Sequence, residues 1–245
     1  LKFKKIKLQI SNVVNLDSKG EKNKLQIYLN RSRYIVNYDL KDNFIEFLSN
    51  NSFIGNDKFT FSGKIFSDPF SFNVKSSLDN LKLRKLFANS IFLREIFSHD
   101  FILNENFNGK VNFEVKRLEK NPLFDKLNLN ANFVGKTLDL SYSSLINNKI
   151  ANLNLEKGVL YEDNKDLIFR GNFNLIINDL KKFNNKFVIP KKNRIDLKKL
   201  NFELLINLTN SDLKILKITN DSYKQNEFEQ IDELIYEFNS GGINI

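Results

Sequence analysis

The sequence predicts a mainly β protein: an elongated, twisted antiparallel sheet curled into a groove. Three observations carry that expectation. Apolar and polar residues alternate along most of the chain, the period of strands with one buried and one wet face. Only three Pro and nine Gly serve 245 residues, so turns fall to Asn, Asp, Ser and Lys. The motif Phe-x-Gly recurs at Phe61/Gly63, Phe107/Gly109, Phe133/Gly135 and Phe169/Gly171, each inside a strand pattern with the glycine on the phenylalanine's face. A glycine there leaves room for a neighbouring aromatic ring over the backbone, or lets the sheet curl.

The strands follow in order. Leu25, Ile27 and Leu29 alternate with mostly polar neighbours, then Tyr34, Val36 and Tyr38; Phe59, Phe61 and Ile65; Phe70, Phe72 and Val74. Next come Phe107, Val111, Phe113 and Val115; Leu127, Leu129, Ala131 and Phe133; Leu138, Leu140 and Tyr142; Leu153 and Leu155. Phe169, Phe173, Leu175 and Ile177 precede Phe202, Leu204, Ile206 and Leu208, with Leu213 and Ile215 last. The whole reads as an antiparallel meander.

Three stretches break the two-residue period. Residues 83–97 place apolar side chains at 83, 86, 87, 91, 93, 96 and 97, the spacing of an amphipathic helix packed on the sheet. Residues 178–187 form a short helix that Asn178 or Asp179 can cap, ended before Pro190. A further short helix is expected near 228–238. The chain divides into a meander section over 1–78, a helix-plus-sheet section over 79–220 that continues the same sheet, and an acidic tail over 221–245.

Composition bounds the chemistry. With 41% hydrophobic residues, 24 of them Phe, and 27% charged residues, the chain is globular. No apolar run approaches the ~20 residues that span a bilayer. Leu at position 1, with no Met or Trp, fits a section of a longer polypeptide. Cysteine is absent, so disulfides and thiolate metal sites are excluded. The net charge of +9 matches what AT-rich codons produce through Lys, and no nucleic-acid partner is expected: the Phe residues share their face with Leu, Ile and Val rather than with cations. Basic residues do crowd one stretch, from Lys181 to Lys199, while Glu227, Glu229, Asp232, Glu233 and Glu237 make the tail acidic.

His99 is the only histidine, carboxylates are scattered, and no metal, calcium-loop or phosphate-loop motif occurs. The reading is a non-enzyme with no cofactor and no metal.

A strand led by Phe-x-Gly, an Asn-Asp break, a short helix, a basic extended linker and a long alternating strand make up FRGNFNLIINDLKKFNNKFVIPKKNRIDLKKLNFELLINLTNSDLKILKI. That unit, with LDNLKLRKLFANSIFLREIF and FNGKVNFEV before it, resembles the AsmA-like proteins of Gram-negative envelopes over about Ser77 to Asn220. The resemblance implies a periplasmic β-groove, anchored in the inner membrane by a segment outside this chain, that shields phospholipid acyl chains between inner and outer membranes. Its partners would be those acyl chains and, through parts outside the chain, envelope membranes or membrane proteins. On this reading Phe107, Phe113, Phe133, Leu140, Phe169, Phe173, Leu175, Phe202, Leu204 and Ile206 line the groove. Gly63, Gly109, Gly135 and Gly171 permit its curvature, and Lys191, Lys192 and Arg194 form a basic rim near head groups. The alternatives are a structural or assembly module of the envelope, with those same side chains filling a closed core, and an enzyme built around His99. An outer-membrane barrel fits poorly with the helical interruptions.

Overall fold

In the computed structural model, which describes residues 8–14, 23–82, 103–121, 123–191, 194, 196–210, 212–219 and 235–236, the strands form one 14-stranded sheet. The strands are β1 (Leu8–Val13), β2 (Asn23–Leu29), β3 (Ser32–Leu40), β4 (Phe44–Ile54), β5 (Asp57–Ser67), β6 (Phe70–Leu81) and β7 (Asn108–Leu118). After them come β8 (Lys126–Val134), β9 (Thr137–Asp139), β10 (Ser143–Asn147), β11 (Ala151–Asp163), β12 (Asp166–Ile177), β13 (Lys199–Asn207) and β14 (Asp212–Thr219). One helix, α1 (Leu180–Lys186), interrupts the series between β12 and β13.

Spatial order follows chain order from β1 to β14, except that short β9 and β10 share the space between β8 and β11. Strands β1 and β14 are the two edges and do not pair with each other, so the sheet is open. Residue 78 lies inside β6, and the sheet runs through it without a break.

The meander expectation is corrected at one joint. Strands β6 and β7 are parallel, with Phe72 opposite Gly109 and Leu78 opposite Val115. A tight turn cannot join parallel strands; the chain must travel back along the strand first, which takes a dozen residues or more. Residues 82–107 make that return, and they contain the stretch predicted as a helix over 83–97, which lies outside the described residues. The helix expected near 228–238 also lies outside them, apart from helical 235–236.

Helix α1 matches the expected 178–187 segment and shows why it forms there. Asp179 is extended, and its carboxylate accepts a hydrogen bond from the Lys182 backbone N–H at 2.9 Å, satisfying one of the donors that a helix start leaves open. Seven residues are too few for an isolated helix to persist, so packing holds it. Phe183 is buried with Ile150, Ala151 and Ile177, which fixes α1 over the ends of β11 and β12.

Two other small clusters complete the core. Leu103, which leads into β7, packs with Ala131, Leu138 and Leu160, while Val115, Leu118 and Phe124 pack beside Phe113 and Leu127. Outside these clusters the buried apolar side chains among the described residues are Leu78 and Leu155, and Ser49 and Ser52 are buried within β4.

Candidate functional site

Register assigns most of the large apolar residues of the strands to one side of the sheet. Across β4 to β8 the rows Phe47–Gly63–Val74–Val111–Ala131 and Ser49–Phe61–Ser76–Phe113–Leu129 lie on it. Across β11 to β14 the rows Leu155–Phe173–Phe202–Ile218 and Leu160–Phe169–Ile206–Leu213 continue it. Away from the strand ends no charged side chain of the described residues falls on this face. The opposite face is more polar: Asn112 faces Asn130, Asn154 faces Asn174, and Arg170 donates through Nε to Glu203 Oε1 at 2.6 Å, although the Phe44–Phe66 pair and Phe53, under Arg33, also lie there.

Aromatic rings concentrate on the apolar side in three groups. Tyr34, Phe47, Phe59 and Phe61 form the first; Phe70, Phe72, Phe107 and Phe133 the second. Phe169, Phe173 and Phe202 form the third, the last two stacked at 5.2 Å with their planes 12° apart.

The rings of the apolar side reach across intervening strands. Strands two apart are separated by roughly 9.6 Å. Yet Phe72 on β6 and Phe133 on β8 have ring centroids 5.6 Å apart, over Gly109 of the intervening β7. Tyr34 on β3 and Phe59 on β5 meet at 6.4 Å across β4, where Ser49 and Ser52 are fully buried and hydrogen-bonded to each other at 2.6 Å. A small residue under each pair lets the rings lean together over the apolar side. A Cβ added to Gly109 would lie 2.5 Å from the Phe72 ring, and one added to Gly63 would meet the Phe47 ring at 2.9 Å and the Asn73 carbonyl oxygen.

Gly171 has the same function, but with a partner that sequence reasoning passed over. It lies opposite Gly158 of β11, and Leu155 covers both glycines. The available signal was Leu-Glu-Lys-Gly: two polar residues between Leu155 and Gly158 mark the bulge that returns β11 to the same face. Gly135 departs from expectation. It sits in the β8–β9 turn with φ +57° and open space around its α-carbon, so it serves the turn rather than the sheet's curvature. Tyr142, expected to extend a strand through Leu138 and Leu140, is instead 81% exposed in a turn with φ +64°.

All the residues predicted to line a groove are half-buried: Phe107, Phe113, Phe133, Leu140, Phe169, Phe173, Leu175, Phe202, Leu204 and Ile206. Side chains in the middle of a closed sandwich would be fully buried. Every residue of β13 is half-buried as well. The N-terminal part of the face was legible as alternation at Phe59, Phe61 and Phe72 but not as part of the same surface, and Phe47 of β4 was not read as a strand residue.

The predicted basic rim is divided. Lys191 is exposed and Lys192 lies outside the described residues. Arg194 is committed to its own loop, where Nε donates to the Ile189 carbonyl and Nη2 to Asn185 Oδ1, both at 3.0 Å. Among the described residues no helix is long and apolar enough to cross a membrane, and no cluster of His, Asp or Glu has the arrangement of a metal site. The chain matches no protein-family model, no curated protein and no solved structure.

Proposed function

We propose that this chain is a section of an envelope β-groove, of the AsmA-like kind, that shields phospholipid acyl chains as they move between inner and outer membranes through the periplasm. The observation that carries the reading is the apolar face itself: it runs from β2 to β14, is free of charge away from its rims, and is half-buried at most of its large side chains, with Val115, Ala131, Leu155 and Leu160 buried among them. At about 25 cal/mol per Å², leaving even 400 Å² of such surface in water costs about 10 kcal/mol. An occupant with long hydrocarbon chains removes that cost. Its contacts are non-directional, so the chains slide along the rows of Phe and Leu without breaking specific bonds. Binding and guiding are the whole activity on this reading; no bond is made or broken.

Native mass spectrometry of the chain purified from a Gram-negative host, with lipid extraction of the same sample, tests it. The expected result is co-purifying phospholipid that Phe173→Glu reduces several-fold while the circular dichroism spectrum is kept. A stable, lipid-free monomer would favour the structural-module reading, with the face covered by protein.

A further inference from the structure

The two rims of the groove carry opposite charge over β11 to β14, and from this we infer that the bound lipid is an anionic phospholipid, held in one orientation with its phosphate at the α1 rim. The inference rests on the conduit reading and adds to it the class of head group and the direction in which the molecule lies.

Topology sets the rims apart. The β11–β12 and β13–β14 turns fall at one end of these strands, while α1, the linker to β13 and the β10–β11 turn fall at the other. The α1 end is tied together by the Asn178 N–H donating to the Ile150 carbonyl and the Ile177 N–H donating to the Lys198 carbonyl, both at 2.8 Å. Between Asn178 and Lys199 the sequence has seven Lys and one Arg against two Asp. Lys149, Lys181, Lys186, Lys191 and Lys198 are all exposed there, and of the two acids Asp179 is occupied by Lys182. The far end reverses the sign: Glu162, Asp163, Asp166 and Asp212 outnumber Lys165 and Lys214 there, the latter paired with Asp212 at 3.7 Å.

Dimensions agree with a lipid lying along the strands. The 12 residues of β12 extend roughly 36 Å from the acidic rim to the basic one. One leaflet of a bilayer, head group included, is about 20–22 Å thick. A phospholipid whose phosphate meets the lysines therefore places its chains over Leu175, Phe173, Phe202 and Leu204 and ends short of the carboxylates. The reversed orientation sets phosphate against carboxylates, which the low dielectric of an occupied groove makes worse. Between exposed charges the discrimination depends on ionic strength, because the screening length falls from about 10 Å at 0.1 M salt to about 3 Å at 1 M.

The experiment incubates the chain with vesicles of equimolar phosphatidylglycerol and phosphatidylethanolamine at low salt, re-isolates it and quantifies both bound lipids. Expected is an enrichment of phosphatidylglycerol on the order of tenfold, falling towards parity at 1 M salt and in K181E/K186E/K198E, whose fold is checked by thermal melting. The salt arm needs no variant, so a misfolded triple mutant leaves the test intact. Binding of both lipids without enrichment, or enrichment that salt does not erode, overturns the oriented anionic head group while the conduit reading stands. Capture of neither lipid overturns both.

Discussion

At the scale of single residues, the apolar face depends on what is missing from particular positions. Gly109 has no Cβ, and the Phe72 ring fills that space while touching Phe70, Phe107 and Phe133. Gly109→Ala therefore drives a methyl group into a ring that three other rings hold. The expected cost is about 1–3 kcal/mol, read as a lower urea midpoint with little change in slope. Gly135→Asn is the contrast: nothing lies within 4 Å of its would-be Cβ, and Asn tolerates the left-handed turn, so the same measurement should move by less than ~1 kcal/mol. Ser52 works by chemistry rather than size, because its Oγ accepts from the Ile35 backbone N–H at 2.8 Å and shares a hydrogen bond with Ser49. Ser52→Ala removes the partner of the half-buried Ile35 N–H, and a loss of about 1 kcal/mol is expected.

At the scale of elements, α1 is the piece whose attachment is most easily broken. Its seven residues rely on Phe183, and Phe183→Ala should cost about 3 kcal/mol and raise amide exchange across 180–186 before the sheet itself opens. Its cap is sensitive to acid. The Asp179 carboxylate is held below its ordinary value of 3.8, first by the hydrogen bond from the Lys182 side chain and then by the Lys182 backbone N–H. A carboxylate whose folded value is depressed stabilises the fold fully above its unfolded value and loses that contribution as pH falls through the folded one. Lowering the pH below 3.8 should therefore release the Lys182 amide in NMR spectra, and Asp179→Asn should flatten the response. How well each element could be read from sequence follows from the same physics. The cap of α1 and the long alternations of β5, β7, β8, β12 and β13 were plain because each keeps one period with a recognisable start. Strand β4 was not, because Ser49–Asn50–Asn51–Ser52 reads as a turn and is in fact a bulge inside the strand. Strand β10 is too short for a period to register, and β11 changes parity after Leu155. The parallel β6–β7 joint had one visible sign, the helix-period stretch between them, which fixed a long connection but not the direction of the strand that follows. The candidate site was legible in its C-terminal half as a list of residues. That they join with β2 to β6 into one face depends on register across strands, which no local pattern encodes.

At the scale of the whole molecule, the property that matters is continuity. Neighbour-to-neighbour pairing from β1 to β14 makes the sheet roughly 58 Å wide along the hydrogen-bonding direction. The apolar face runs across that width as a strip rather than a pocket. A pocket saturates at one ligand; a strip admits several molecules side by side, limited by length. Titration with short-chain phospholipid, followed by native mass spectrometry, should thus give a ladder of occupancies that climbs with concentration. Phe113 lies midway, opposite Ser76 and Leu129 and close to the Val115 cluster, where the strip passes from the β6 side to the β8 side. Phe113→Glu sets a carboxylate there, and a half-buried charge repels hydrocarbon without needing to unfold the strand. The top of the ladder should fall while occupancy of the flanking aromatic groups, the one around Phe61 and the one around Phe202, persists. Occupancy that stops at one lipid in the native chain, or that Phe113→Glu abolishes entirely at unchanged stability, would mean a single closed site at the centre and would rule out a continuous path.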